Sequence, residues 1–233
     1  METTRSFSII VGCALILILS FLFWRYVWFF RSPPRTVPSG HALVSPADGT
    51  VVYVKVVEPD VPVIAIKKGI EAKINDIVRD DLARTRLLIG IFMSPWDVHY
   101  NRAPLAGIVE SIRHHPAVRR NLHMTWMQVR TLLNWPPFHM GSRHIVENER
   151  TVTRIVGGFQ GRELSCYVVQ IAGGSVSGID SYVSEGHLLD KGDVFGMIRI
   201  GSQVDVVMPH LPDMHVKVRP GQKVWAGESV LVD

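Results

Sequence analysis

The sequence predicts a mainly β domain of the α+β class, a flattened β-barrel or sandwich-like fold, preceded by an N-terminal transmembrane helix. Three observations carry that expectation. Residues Phe7 to Phe30 form a nearly unbroken apolar run whose only charge is Arg25. From His41 onward the pattern changes to short β-branched runs divided by Gly, Pro and Asp, which read as strands. Helical periodicity is nearly confined to Arg119–Leu133, with a weaker stretch at Asp76–Arg84. A chain of 233 residues leaves room for one compact domain beside an anchor.

The anchor comes first. A bilayer-spanning helix needs about 20 apolar residues, and Phe7 to Phe30 reaches that length. Its aromatic end, including Phe23, Trp24, Tyr26, Trp28 and Phe30, resembles an interfacial belt around a snorkelling Arg25. A cleavable signal peptide would be shorter and would end in small residues, whereas this run ends in bulky aromatics followed by Pro33-Pro34. A shallow helix lying in the interface is the other alternative. Arg5 stands alone before the run, while Arg25, Arg31 and Arg35 follow it. The positive-inside rule therefore expects the C-terminal bulk on the cytoplasmic face of the cell membrane, plasma or inner. The expected organisation is an anchor over 1–31, a Pro-rich linker over 32–40, and a domain over 41–233.

Within that domain the expected strands are Val51–Val57, Val61–Ile66, Leu87–Met93, Thr151–Val156, Leu164–Ile171, Val194–Ile200 and Val204–Met208. The stretch Val216–Val232, with turns at Pro220-Gly221 and Ala226-Gly227, reads as a hairpin of the lipoyl-like type. It has no lysine at the tip that a carrier domain would modify. The composition excludes other classes. With 47% hydrophobic and 20% charged residues, the chain is neither a disordered tail nor a coiled coil. Its charge of +4 suits an anionic surface such as a membrane and is too weak to argue for nucleic acid. Two cysteines make neither a disulfide framework nor a four-thiolate zinc site.

Four segments hold polar residues in unusual settings. Ser45-Pro46-Ala47-Asp48-Gly49 places an acid in a tight turn before a strand, which by itself reads as a turn aspartate. Asp97-Val98-His99-Tyr100-Asn101-Arg102 follows an apolar strand. If extended, it would project Asp97, His99 and Asn101 to one face, making His99 a candidate acid or base. Glu147-Asn148-Glu149-Arg150 alone reads as a solvated turn. In Lys191–Asp205 two strands meet at Gly201-Ser202, either a bulge or a strained peptide bond whose serine can attack its own preceding carbonyl.

Taken together, these segments resemble the phosphatidylserine decarboxylase family, closest to the short microbial members that include archaetidylserine decarboxylases. The Lys-Gly-x-x-x-Gly-x-x-x-x-Gly-Ser pattern at 191–202 is the most specific part. Pro-Ala-Asp-Gly, Asp-Val-His-x-Asn-Arg-x-Pro, Asn-Glu-Arg and Gln170-Ile171-Ala172-Gly173 support it in order. The resemblance implies a proenzyme that cuts itself between Gly201 and Ser202 into chains 1–201 and 202–233, which remain associated. It implies a covalent pyruvoyl group made from Ser202, which forms a Schiff base with the substrate amine, and no metal. The substrate would be a serine phospholipid of the membrane, converted to the ethanolamine lipid with release of CO2. Asp48 would belong to the self-cleavage machinery and His99 to decarboxylation or protonation. Arg102, Asn101 and Asn148 would support substrate binding or processing.

The chain departs from the family pattern at Arg102, where some members carry a second histidine. It departs also at Ile198, often an aromatic, and at Ser177 and Gly178, often a basic pair. A stretch longer than expected, Arg113–His144, mixes arginines and histidines with Trp126 and Trp135. It reads either as an anionic-membrane interface or as a solvated helix with a few core aromatics. A homo-oligomer is compatible with the sequence, and no nucleic-acid partner is expected. The competing function is a non-enzymatic membrane-anchored adaptor with a lipoyl-like β domain, which gives no reason for Gly201-Ser202, Asp48 and His99 to occur together.

Overall fold

Runs of Val, Ile and Leu too short for helices dominate the chain after residue 40, and in the computed structural model they become strands. The structure describes residues 2–58, 61, 64–67, 70–78, 84–174, 178–199 and 201–233. Parts of the expected strand Val61–Ile66 and helix Asp76–Arg84, together with Ile200 and Ser177, lie outside them. Two compact units result, Met1–Pro33 and Pro34–Asp233.

The first unit is the helix α1 (Glu2–Phe23), continued by a π-helical turn over Trp24–Trp28. Its stretch Ile9–Trp28 is long and apolar enough to cross a membrane. The Arg25 guanidinium lies 5.7 Å from the ring centres of Tyr26 and Phe29 and 5.9 Å from that of Phe30. This is how one cation is tolerated at the end of an apolar run.

The second unit is mainly β. Its strands are β1 (Leu43–Val44), β2 (Gly49–Val57), β3 (Ile64–Lys67), β4 (Ile70–Ala72), β5 (Arg86–Met93), β6 (Tyr100–Arg102), β7 (Gly107–His115) and β8 (Arg150–Phe159). They continue as β9 (Arg162–Ala172), β10 (Ile179–Ser181), β11 (Leu188–Leu189), β12 (Val194–Ile198), β13 (Ser202–Pro209), β14 (Lys223–Val224) and β15 (Val230–Val232). Eight of them form a curled antiparallel sheet in the order β11-β7-β8-β9-β13-β5-β2-β14. A smaller sheet runs β10-β12-β6.

The central strands are buried on both faces, so their sequences are almost continuously apolar. One face packs Val51, Ile89, Ile91, Val204 and Val206 against Phe195 and the smaller sheet. The other packs Val52, Leu88, Val169 and Val207 against three short helices, α2 (Ile74–Val78), α3 (Thr125–Leu132) and α4 (His144–Glu147).

One difference from the sequence reading has a local cause. The helix expected over Arg119–Leu133 begins only at Thr125, because Asn148 takes both backbone groups of Leu122 at 2.8 and 2.9 Å. A side chain that binds N–H and C=O of one residue competes with helical bonding there. The expected C-terminal hairpin is present, its arms bridged at Val216–Val232, and β14 pairs also with β2 and β15 with β1, so the hairpin is stitched into the larger fold.

Candidate active site

Four strand ends converge at one edge of the large sheet. β13 starts at Ser202, flanked by Met93, the last residue of β5, and Ala172, the last of β9. Beside β5, β2 starts at Gly49, where any side chain would run into the Phe92 carbonyl. The chain reaches Ser202 from β12 of the smaller sheet, so the peptide bond Gly201–Ser202 lies where one sheet hands over to the other. Gly201 has φ +58°, a left-handed conformation with open space where a Cβ would be. Glycine is required there by backbone geometry rather than by crowding.

Ser202 is fully buried, and its Oγ donates to the Met93 sulfur at 3.3 Å, a soft and weak acceptor. The Asn101 amide approaches the same sulfur at 3.8 Å and the Pro46 carbonyl at 3.4 Å. Gln170 donates to Asn101 Oδ1 at 2.8 Å. Beside that amide lies Gly196, where a Cβ would come within 2.6 Å of the Asp180 carbonyl oxygen and 3.2 Å of Gln170 Nε2.

His99 is fully buried too. Its Nδ1 bonds the Asp97 carbonyl at 2.9 Å, and its own carbonyl accepts from the Ile198 amide at 3.3 Å. A carbonyl only accepts, so Nδ1 carries a proton, and this bond fixes the orientation of the ring. Asp97 does not share a face with His99 and Asn101. Ser94–Asp97 closes into a turn in which the Asp97 carboxylate binds the Ser94 amide and hydroxyl at 2.8 and 2.7 Å, and this breaks the two-residue period.

Asp48 sits at the same edge, in a different cluster. Arg35 Nη2 bonds its Oδ2 at 2.8 Å and the Ala226 amide its Oδ1 at 2.7 Å. Arg35 also reaches Glu228 at 3.3 Å, and the Thr36 amide bonding Glu228 at 2.9 Å holds that carboxyl below its ordinary range. Arg102 extends along this cluster and donates to the Gly192 carbonyl at 2.8 Å. Partial burial and the neighbouring Arg35 lower its pKa, with Asp48, Asp193 and Glu228 opposing. Arg35, which the sequence placed in a spacer, is thus nearly buried as the partner of Asp48.

Asn148 reaches the site from the far side of β9. Besides clamping Leu122, its amide donates to the Ala172 carbonyl at 2.6 Å, next to Ser202. The adjoining Arg150 is buried rather than solvated, with its guanidinium on the carbonyls of Asp76, Ile77, Ile145 and Asn148. It thereby caps the ends of α2 and α4.

Directly after the serine lies a network that the sequence reading missed. Gln203 Nε2 donates to the Tyr53 hydroxyl at 2.6 Å and to Asp205 Oδ1 at 2.7 Å. The Tyr53 hydroxyl donates to the Asp205 carboxylate at 2.7 Å, and His144 Nε2 donates to Gln203 Oε1 at 3.0 Å. Burial pushes the Asp205 carboxyl up to about 6, against the hydrogen bonds of Gln203 and Tyr53 and the charge of Arg150. Burial pushes His144 down to about 4, so it is neutral in the folded chain. Gly90 makes the network possible, because the Tyr53 ring lies across it to reach Asp205 and a Cβ would strike the ring. The available signal was an aspartate inside the run Val204–Met208, which needs buried partners.

A pocket of about 170 Å³ opens beside the Gly201–Ser202 bond, lined by Gly201, Phe92, Pro95, His123, Thr125 and Gln128 among others. Among the described residues, no group of three or more His, Cys, Asp or Glu could hold a metal ion.

A buried serine thus follows a left-handed glycine at a strand junction, next to a pocket, in a mainly β domain. The chain belongs to the phosphatidylserine decarboxylase family, whose model matches residues 22–232. It is similar to the phosphatidylserine decarboxylase proenzyme of Pelobacter propionicus, at 36% identity over 96% of this chain and 82% of that one. It also resembles a Methanocaldococcus jannaschii protein named for an archaetidylserine decarboxylase proenzyme, at 32% identity over 97% of this chain and 95% of that one.

Proposed function

We propose that this chain is a self-processing decarboxylase of a serine phospholipid, phosphatidylserine or archaetidylserine, which releases CO2 and leaves the ethanolamine lipid. The observation that carries the reading is the placement of Ser202, buried behind the left-handed Gly201 at the sheet junction and beside a pocket. There the Ser202 Oγ attacks the Gly201 carbonyl carbon, the peptide C–N bond breaks, and an ester joins the two residues. Loss of the Ser202 Cα proton expels the Gly201 carboxylate and leaves a dehydroalanine. Hydrolysis of that group releases ammonia and leaves a pyruvoyl group on chain 202–233, beside chain 1–201. The surroundings fit the group, since Gly201 has open space beside it, lines the pocket, and the residue after the serine, Gln203, is fixed by Tyr53 and Asp205. Once formed, the pyruvoyl carbonyl supplies the electron sink for decarboxylation.

His99, its ring oriented by Asp97 and its backbone tied to Ile198, holds the proton exchanged at the reacting carbon. Asp48 acts in processing from its cluster with Arg35 and Arg102. Asn101 and Asn148 hold the strand ends on either side of the serine. The N-terminal helix holds the domain on the cytoplasmic face, where the substrate never has to leave the bilayer.

An intact mass of the purified protein beside Ser202→Ala tests the proposal. The expected result is two chains divided after Gly201 in the parent and one uncut chain in the variant. A single uncut 26.1 kDa chain from the parent would sink the enzyme reading and promote the membrane adaptor.

A further inference from the structure

The segment between β7 and α4 carries a feature that the reaction above does not use. From residue 116 to 143 the chain has four arginines and no aspartate or glutamate, and of these Arg143 is paired with Glu147 of α4, while the overall charge of the chain is only +4. Folded, this segment turns apolar side chains outward. Trp126, Arg130 and Leu133, spaced i, i+4, i+7, lie on one face of α3 and its C-terminal end, while Met124 and Met127 fill the core on the other. Trp126 is 71% exposed, Leu132 77%, and Trp135 56%. The reading of these tryptophans as core aromatics is thereby removed. Arg130 stacks on the Trp135 ring at 4.7 Å, and Arg119 and Arg120 are exposed nearby in sequence. The same helix lines the pocket at Gly201 through Thr125 and Gln128, and Trp96 follows the pocket residue Pro95 with 65% of its surface exposed.

The geometry points to this face as the surface by which the domain docks on an anionic lipid bilayer, with α3 lying in the headgroup layer and the pocket mouth facing the lipid. Indoles and leucines insert at the boundary, and arginines meet phosphates around them. The absence of acids from the whole segment is the charge complement such a surface requires, and a protein partner would not demand it. The inference rests on the lipid substrate proposed above. It gives α3 the task of bringing the membrane to the site rather than leaving that to the anchor alone.

The test uses the full chain in nanodiscs, with Cys13→Ala and an environment-sensitive fluorophore at Trp126→Cys. Cys166 is fully buried and stays unlabelled. Emission is compared in phosphatidylcholine alone and in its mixture with phosphatidylglycerol. A label at Leu188→Cys, an equally exposed leucine on β11, is the reference. The expected result is a blue shift at position 126 in the anionic discs, lost when Arg119, Arg120 and Arg130 become Glu, with no shift at 188. Each basic residue near such a surface contributes about fivefold in affinity, so the triple variant should lower turnover of disc-borne substrate at least about tenfold. Turnover of a short-chain, water-soluble serine phospholipid should be unchanged. Equal emission at 126 in both lipids overturns the inference, as does a shift seen only when a disc holds two copies. The fluorescence does not need turnover, so an inactive enzyme that still shows the shift would sink the decarboxylase reading and leave the docking face standing.

Discussion

The two faces of β13 are equally buried and chemically opposite. On one, Ser202, Val204 and Val206 meet an apolar core, and the serine hydroxyl donates to a thioether at 3.3 Å. On the other, Gln203 and Asp205 are tied to Tyr53 and His144 by short hydrogen bonds. Ser202 is held loosely and its neighbour tightly. The rearrangement proposed at Gly201–Ser202 would need freedom at the hydroxyl and a fixed seat for the segment that follows. Alternating side chains on one strand provide both.

Breaking the polar face should have the larger effect. Asp205→Ala leaves the Tyr53 hydroxyl and the Gln203 amide short of a buried acceptor and opens a cavity. It should cost about 3 kcal/mol in urea unfolding of the uncut Ser202→Ala background. A loss under about 1 kcal/mol would mean that the network is not a tight seat.

The pH dependence sharpens the same point. Asp205, near 3.9 in the unfolded chain and about 6 when folded, keeps its proton longer in the folded state, so its contribution falls as pH rises from 4 to 6. His144 works oppositely. The unfolded chain binds its proton below about 6.5 and the folded chain only near 4, so stability falls as pH drops through that window. Together the two slopes nearly cancel. Asp205→Asn should therefore expose a loss of roughly 2–3 kcal/mol between pH 6.5 and 4, and His144→Gln should reverse the sign. Parallel urea midpoints in both variants would show that the groups do not titrate as placed.

The smallest effect belongs to the apolar face. Met93→Leu conserves volume and removes the sulfur facing Ser202 Oγ. It should cost under about 1.5 kcal/mol and leave chain splitting intact by gel. An uncut chain would show the thioether to be part of the processing machinery.

Much of this was legible in the sequence, for reasons that differ by residue. The buried strands announced themselves by unbroken β-branched runs, and Gly201-Ser202, His99 and Asn101 by polar residues at the ends of such runs. Asn148 looked like part of a solvated turn because its partners, Leu122 and Ala172, are distant in sequence. Arg35 looked like linker because its value lies in reaching Asp48 and Glu228, which no local pattern encodes. The Tyr53 network depends on a row across three strands, Tyr53, Gly90 and Asp205, and register is a property of the sheet rather than of any one segment.

The pairing of the last three strands has a consequence for the life of the molecule. β13 is hydrogen-bonded on both sides within the large sheet, β14 adds to β2, and β15 closes on β1. A chain divided after Gly201 would therefore keep its shape with a central thread no longer covalently attached. Unfolding such a molecule would release two polypeptides that must find each other again, so its recovery from denaturant would depend on concentration, while that of the uncut precursor would not. Maturation would turn a fold reached by one chain alone into one that, once lost, is a meeting of two.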